Sequence, residues 1–511
     1  MKHFTCTMFL LCAAGMAACA TEEGPAEDVG LTEVFAFDDR VAACQQDPRV
    51  IVGATTIDIC VGADLFLREP FGGNGRSCAS CHRVENNFTI DPAFISSLPV
   101  TDPLFIAEQR GDQFALDQLE IPSQMRRASL ILENADGFAP DPTVRFVLRS
   151  VPHNLSMGTS ITRPSNAPNQ PPLDRTGWSG DGAPGNGELR DFQNGAIRQH
   201  YPRSLQRVVG RDFRFATDEE LDAIDLFMRE LGRTNNLNLA NVVMTDVQAR
   251  NGEAVFQAVG CDACHNNAGA DLVGGGGNRN FNTGVETSRN PHLVRFPLDG
   301  GLGATPANAD GSFGDKTFNT PPLVEAADTG PFFHTDTAIS GASGAFDTPS
   351  ADTIEQAIAF YDTPAFNNSP AAQPPGAPIN LAATEIDDIG RFLRGINAAF
   401  NAAMARSRLD AEILLVNRFS NQHLALQQQM LRLAGEEVDD GIRVLQGQPN
   451  LNSNALTDLR NARRFIDNAI LTTSSTTRRN DTTAARNLVA GVPAKIGTGL
   501  TFNIGQGTNM F

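Results

Sequence analysis

Two pentapeptides of the form Cys-x-x-Cys-His, Cys78-Ala79-Ser80-Cys81-His82 and Cys261-Asp262-Ala263-Cys264-His265, are the residues best suited to chemistry in this chain. The spacing lets two thiols add to the vinyl groups of one haem while the adjacent imidazole ligates its iron, so each motif predicts a covalently attached c-type haem. A single copy could arise by chance or form half of a zinc site, but two copies with similar flanks favour a dihaem cytochrome. Cys78, Cys81 and His82 would hold one haem, and Cys261, Cys264 and His265 the other.

The flanks predict the elements that position both motifs. Gly62-Ala63-Asp64-Leu65-Phe66 leads into the first and Gly252-Glu253-Ala254-Val255-Phe256 into the second, each suited to a helix packed on haem. Residues 217–229 and 384–394 close the two halves alike. Thr217 and Thr384 are the expected N-caps, each with an acid three positions later to complete a capping box. Leu221, Ile224, Phe227 and Met228, like Ile386, Ile389, Phe392 and Leu393, recur at helical spacing and give each helix a buried stripe. The expected fold is therefore all-α, with two tandem class I cytochrome c-like domains, 51–245 and 246–400, and a helical extension and tail over 401–511. Within the extension, segments from about Ala398 to Gly435 and from about Glu437 to Leu471 predict an antiparallel pair, with Ile413, Leu414, Leu424 and Leu431 as apolar positions. The Thr-, Asn- and Gly-rich last thirty residues give no pattern. Residues 164–184 and 274–277 read as connections, since neither has the Lys-Ser/Thr ending of a phosphate cradle.

A chain of 511 residues with 41% hydrophobic and 19% charged content is globular material for about two to four domains. Residues 1–19 combine Lys2, a short apolar run and small residues before Cys19, the pattern of an export signal that is too short to span a membrane. Met16-Ala17-Ala18-Cys19 also resembles a lipobox, in which Cys19 would carry lipid, so a periplasmic or outer-membrane-anchored location is expected. Residues 20–50 read as an acidic tether and N-terminal segment. Of nine cysteines, Cys6, Cys12 and Cys19 fall in the signal and four in the motifs, which leaves Cys44 and Cys60 as the expected disulfide of an exported protein. A net charge of −19 argues against nucleic acid and suits a cationic or neutral partner, although solubility alone also accounts for it.

Phe318-Asn319-Thr320-Pro321-Pro322-Leu323 followed by Thr329-Gly330-Pro331-Phe332-Phe333-His334, set beside the two motifs, resembles the bacterial dihaem cytochrome c peroxidase superfamily, which includes MauG-type enzymes. The likeness covers about 55–400. It implies that the His82 haem keeps an open iron position for a small oxidant. The His265 haem would carry two axial ligands and relay electrons from a small donor protein such as a cytochrome or cupredoxin. This chain has no Met from 245 to 403, and Glu355-Gln356-Ala357-Ile358-Ala359-Phe360-Tyr361 is similar to the MauG-like helix, so Tyr361 is the implied second ligand, with His292 and His334 in reserve. Trp178 stands where the family has its inter-haem Trp; the plainer alternative is a core-filling indole.

Gln193 lies one place along from the family's Gln, while the peroxidase Glu is missing from the segment Gln199-His200-Tyr201, where His200 is the candidate to move a proton. Phe192 and residues 195–200 are instead similar to the rubber oxygenase branch, in which an apolar pocket holds dioxygen. The resemblance also implies calcium held by Thr329 and Pro331, with Ser150 replacing the family's Asn. The expected function is an exported oxidoreductase that reduces peroxide or uses it to oxidise a partner, with Trp178, Phe192, Gln193 and His200 as catalytic candidates. A dioxygenase acting on an apolar substrate and a non-enzymatic electron carrier are the alternatives.

Overall fold

The computed structural model describes residues 37–106, 122–133, 146–162, 172–180, 187–274, 276–288, 298–301, 314–335, 339–340, 347–348, 351–372, 378–446 and 450–511. The expected signal, Cys19, most of the tether and His292 lie outside them. Helices dominate, as expected for an all-α chain: α1 (Phe37–Gln45), α2 (Ile57–Arg68), α3 (Leu189–His200), α4 (Asp218–Arg229), α5 (Val247–Ala258), α6 (Ile354–Phe360), α7 (Ala383–Phe419), α8 (Leu424–Leu445), α9 (Ser453–Leu471) and α10 (Ser475–Ile496). The longest strands, β1 (Leu130–Glu133) and β2 (Val147–Ser150), form one antiparallel ladder with Leu130 opposite Ser150. Cys44 and Cys60 form the expected disulfide, which ties α1 to α2.

The helix crossing that precedes each motif is built twice from the same parts. A Cβ at Gly62 would lie 2.0 Å from Ala223 O, and one at Gly252 would lie 1.9 Å from Asp388 O, so only glycine lets α2 rest on α4 and α5 on α7. One turn further on, Phe66 meets Phe227 at 5.3 Å and Phe256 meets Phe392 at 5.7 Å. The Gly-x-x-x-Phe spacing thus encodes a backbone contact and then an aromatic one on the same helix face.

The closing helices begin differently. Thr217 caps α4 as expected, accepting from Glu220 N while the Glu220 carboxylate accepts from Thr217 N at 2.8 Å. Thr384 does not cap α7. That helix starts behind the buried Leu381, Ala382 is its N-cap, and the Glu385 carboxylate accepts from Ala382 N at 2.8 Å. Only the acid-to-backbone half of the box is used.

The expected boundaries in the extension are corrected. α7 passes Asn397 without a break and runs 37 residues to Phe419, so the closing helix of the second half is also the first helix of the extension. The chain reverses through Ser420 and His423 (φ 52° and 56°) and again at Asn452 (φ 47°), not near Gly435. α7 packs on α8 and α10, α8 on α9, and α9 on α10, which makes a four-helix bundle rather than a pair. Leu431 is in its core, Leu424 is half-buried and Leu414 is exposed. The Thr- and Asn-rich tail holds α10, whose Ala485, Val489, Val492 and Ile496 are buried at helical spacing. No described helix is long and apolar enough to cross a membrane.

Candidate haem sites

Each motif occupies a short 3-10 turn behind its leading helix, Cys78–Ser80 behind α2 and Cys261–Ala263 behind α5. Ser77 N is satisfied by the Ser80 hydroxyl at 3.0 Å, while Gly260 supplies a left-handed residue (φ 82°) in the other half. Both turns then close identically: His82 N donates to Cys78 O at 2.9 Å and His265 N to Cys261 O at 3.0 Å. The four cysteines are free of disulfides. Burial pushes Cys78 up to about 11 and Cys261 up to about 12, so both are neutral thiols near pH 7. No group of three or more His, Cys, Asp or Glu placed to hold a metal ion occurs among the described residues.

The two imidazoles share one environment. His82 Nδ1 lies 3.0 Å from Phe88 O and His265 Nδ1 lies 3.3 Å from Gly269 O. A second carbonyl faces each ring, that of Pro152 at His82 and that of Pro321 at His265. Burial pushes both histidines down to about 4, so both rings are neutral near pH 7. A neutral imidazole with one N–H fixed on a backbone carbonyl is the form that ligates iron through its other nitrogen. The donor set therefore fits haem c at both motifs. Pro152 and Pro321 were not singled out as site residues in the sequence, although each follows a β-branched residue and precedes a Leu by two or three places.

Trp178 lies between those two proline segments. Its Nε1 donates to Ser150 O at 2.8 Å, and its own carbonyl accepts from Asn319 N at 2.9 Å. His334 stacks on Phe318 at 3.9 Å and meets Trp178 edge-on at 6.5 Å. Its Nε2 is 2.6 Å from Glu286 Oε1 and its carbonyl accepts from Ser150 N, so His334 is a residue of this seam. Arg149 extends the seam by a two-point pair with buried Asp299 at 2.6 and 2.7 Å. Burial pushes the Asp299 carboxyl up, but Arg149 outweighs it and holds Asp299 below the usual range.

Tyr361 is brought to the second motif. It caps the C-terminus of α6, packs edge-on against Phe360 at 5.4 Å and Phe366 at 4.8 Å, and faces Cys261 and Cys264. Burial first, and those cysteines second, push its phenol well up. At the first motif the end of α3 brings His200 near His82, Arg76 and Arg207, and burial pushes this histidine down to about 3. Tyr201, absent from the sequence-based candidates, donates its hydroxyl to Cys78 Sγ at 3.2 Å. The chain has two tyrosines: Tyr201 bonds a cysteine of the first motif, and Tyr361 is close enough to feel both cysteines of the second.

Gln193 points its amide at Met228 Sδ at 3.5 Å and leaves its buried Oε1 without a partner. Phe192 packs so closely on Gly177 that a Cβ there would lie 2.9 Å from Phe192 Cε2, which places Phe192 beside Trp178. His153, also missed, sits beside His82 with its Nδ1 unpartnered and faces the buried Arg233–Glu325 pair (2.5 Å). At the expected calcium ligands, the Thr329 hydroxyl donates to Glu325 O and Ala326 O at 3.2 Å, Pro331 follows a cis peptide bond, and the Ser150 hydroxyl donates to Phe333 O at 2.9 Å.

No protein-family model and no curated protein matches the chain. A solved structure of Kuenenia stuttgartiensis hydrazine synthase, pressurized with xenon, is similar at 14% identity over 75% of this chain and 99% of that one, with a TM-score of 0.27. A likeness of that order carries no argument about fold or function.

Proposed function

We propose that this chain is an exported dihaem c-type oxidoreductase that reduces hydrogen peroxide, or uses it to oxidise a partner, with electrons crossing between the haems by way of Trp178. The observation that carries this reading is the duplication of one device: two cysteines outside any disulfide at a 3-10 turn, and a neutral imidazole whose Nδ1 is held by one backbone carbonyl. Bound haem would supply a redox-active iron at each device. Cys78, Cys81 and His82 would hold the substrate-facing haem, and Cys261, Cys264 and His265 the relay haem. Tyr361 would be the relay haem's second ligand, and a phenolate oxygen there favours ferric iron more than Met does. Phe192 and Gln193 would border the open side of the first haem, and the neutral His200 would accept a proton from the oxidant. A small cytochrome or cupredoxin would supply electrons. Calcium at Thr329 and Pro331, and lipid on Cys19, belong to the same proposal.

One observation favours the dioxygenase reading. A histidine whose basicity is pushed down to about 3 is poorly matched to proton transfer near neutrality, and Phe192 lies two turns earlier on the same helix, packed on Gly177. In that reading the first haem activates dioxygen for cleavage of an apolar substrate.

The purified holoprotein separates these readings. The proposal expects a mass increased by two haems, carbon monoxide binding at one reduced iron, and peroxide-dependent oxidation of a reduced cytochrome. Dioxygen uptake with an apolar substrate and no peroxide turnover would select the oxygenase. A protein whose reduced irons both ignore carbon monoxide is an electron carrier, and the proposal fails.

A further inference from the structure

The loop behind each motif histidine is strained in the same manner. Asn87 and Phe88 have φ 54° and 58°, and Asn267 and Ala268 both have φ 57°. Left-handed backbone costs an L-residue about 1 kcal/mol or more, so consecutive pairs persist only where the surroundings over-determine them. In both loops the conformation delivers a carbonyl to a histidine Nδ1, that of Phe88 at 3.0 Å and that of Gly269 at 3.3 Å.

The supports differ. The second loop is held without the extension: Asn267 Oδ1 accepts from Leu239 N at 2.9 Å, and Ala268 O accepts from Leu323 N at 2.9 Å. The first loop is held chiefly by the extension. Asn87 Nδ2 donates to Asp440 Oδ2 of α8 at 3.1 Å and, at a longer 3.4 Å, to Asp328 O, and the Phe88 ring meets Phe511 edge-on at 5.1 Å. Phe511 is 3% exposed. It also meets Phe227 at 5.8 Å and lies under the Arg408 guanidinium at 5.6 Å, which is itself paired with Glu437 at 2.9 Å. Phe66 completes the cluster, 6.5 Å from Phe88 and 6.1 Å from the His82 ring.

The segment that delivers Phe511 is itself pinned to the first half. A Cβ at Gly505 or Gly507 would lie 2.4 or 2.7 Å from Glu230 O. Thr508 Oγ1 accepts from Gly232 N at 3.1 Å, and Asn509 Nδ2 donates to Ala54 O at 3.1 Å.

We propose that the extension is a brace for the first motif alone: Asp440 and Phe511 are positioning residues that hold the Phe88 carbonyl on His82 Nδ1 and thereby set the donor strength of His82 toward its iron. This rests on the haem reading above. A histidine whose N–H is gripped by a carbonyl is the stronger donor through its other nitrogen, and a stronger donor favours ferric iron. Loosening the brace therefore raises the reduction potential of the first haem and leaves the second where it was.

The test is a spectroelectrochemical titration of the holoprotein, after its mass has been measured, with the first couple identified as the one lost from a Cys78→Ser/Cys81→Ser variant. Asn87→Gly keeps the left-handed backbone while deleting the amide bonded to Asp440 and Asp328 O, and Phe511→Leu, which touches the extension's contact only, thins the aromatic packing without emptying it. Both are expected to shift the first couple upward and not the second, whereas Asn267→Gly shifts only the second. A first couple that stays in place, or two couples that move together, overturns the brace. A mass short of two haems overturns the haem reading instead, and with it the brace's consequence.

Discussion

The two halves cross their helices at the same glycine and then part company. In the first half the closing helix ends at Arg229; in the second it runs on to Phe419 and becomes a wall of a four-helix bundle. The crossing is repeated because two backbones in contact accept one residue only, whereas nothing in that contact dictates where a closing helix stops. The consequence is long-range. The extension grows rigidly out of the second half, and its α8 and the 505–511 segment come to rest on the first.

The largest effect is expected where the halves are alike. Gly62→Ala and Gly252→Ala each force a methyl to within about 2 Å of a backbone oxygen that cannot move without its helix. Overpacking typically costs about 1–3 kcal/mol, and a clash with backbone falls at the upper end of that range. Denaturant midpoints of the holoprotein should fall by similar amounts for the two variants. A tolerated Gly252→Ala would break the equivalence of the halves.

The shared helix α7 carries the next effect. Glu412 is fully buried, its two carboxylate oxygens have no hydrogen-bond partner, and burial pushes it up to about 8 despite the Arg478 guanidinium on α10. An unfolded Glu ionises near its ordinary value of 4.5. Between those values the folded chain holds a proton that the unfolded chain has released. Glu412 therefore contributes its full stability below about 4.5 and loses it as pH rises to about 8. Glu436 and Glu437, raised to about 7 and 8 by burial, carry the same sign. Thermal midpoints should fall as pH rises from about 4.5 to about 8, and Glu412→Gln should flatten that slope by one proton's share. An unchanged slope would mean that Glu412 ionises as it does in the unfolded chain.

The tyrosines sharpen the comparison at the sites. Tyr361 faces both cysteines of the second motif with its hydroxyl bonded to neither, while Tyr201 faces both cysteines of the first and donates its hydroxyl to the Cys78 sulfur. Tyr361→Phe is expected to change the ferric spectrum and raise the potential of the second haem. Tyr201→Phe should leave both sets of ligands intact. If both substitutions leave the spectrum unchanged, Tyr361 is core packing and not a ligand.

What was legible in the sequence was what is local. The Cys-x-x-Cys-His turns, the Gly-x-x-x-Phe helices, the Thr217 cap and the Cys44–Cys60 pairing each depend on residues a few places apart or on elimination, and all are present. The missed features depend on partners distant in the chain. Asn87 gains its meaning from Asp440, Pro152 from His82, and Phe511 from Phe88 and Phe227. α10 was hidden for a different reason: its Thr and Asn residues are weak helix formers, and burial of Ala485, Val489, Val492 and Ile496 against the bundle overrides propensity.

The smallest effect tests the most local difference between the halves. Thr217 and Thr384 open similar sequences, yet only the Thr217 hydroxyl accepts from a first-turn N–H, at 3.3 Å from Glu220 N. Loss of such a cap costs about 1 kcal/mol, so Thr217→Ala should lower the denaturant midpoint measurably. Thr384 lies inside the first turn of α7, where its hydroxyl is not the cap, and Thr384→Ala should change stability by no more than about 0.5 kcal/mol. The bond that does the equivalent work there is Glu385 to Ala382 N, so Glu385→Ala should destabilise more than Thr384→Ala does. Equal costs for the two threonines would mean that α7 begins as α4 does, and that the halves differ only in where their closing helices end.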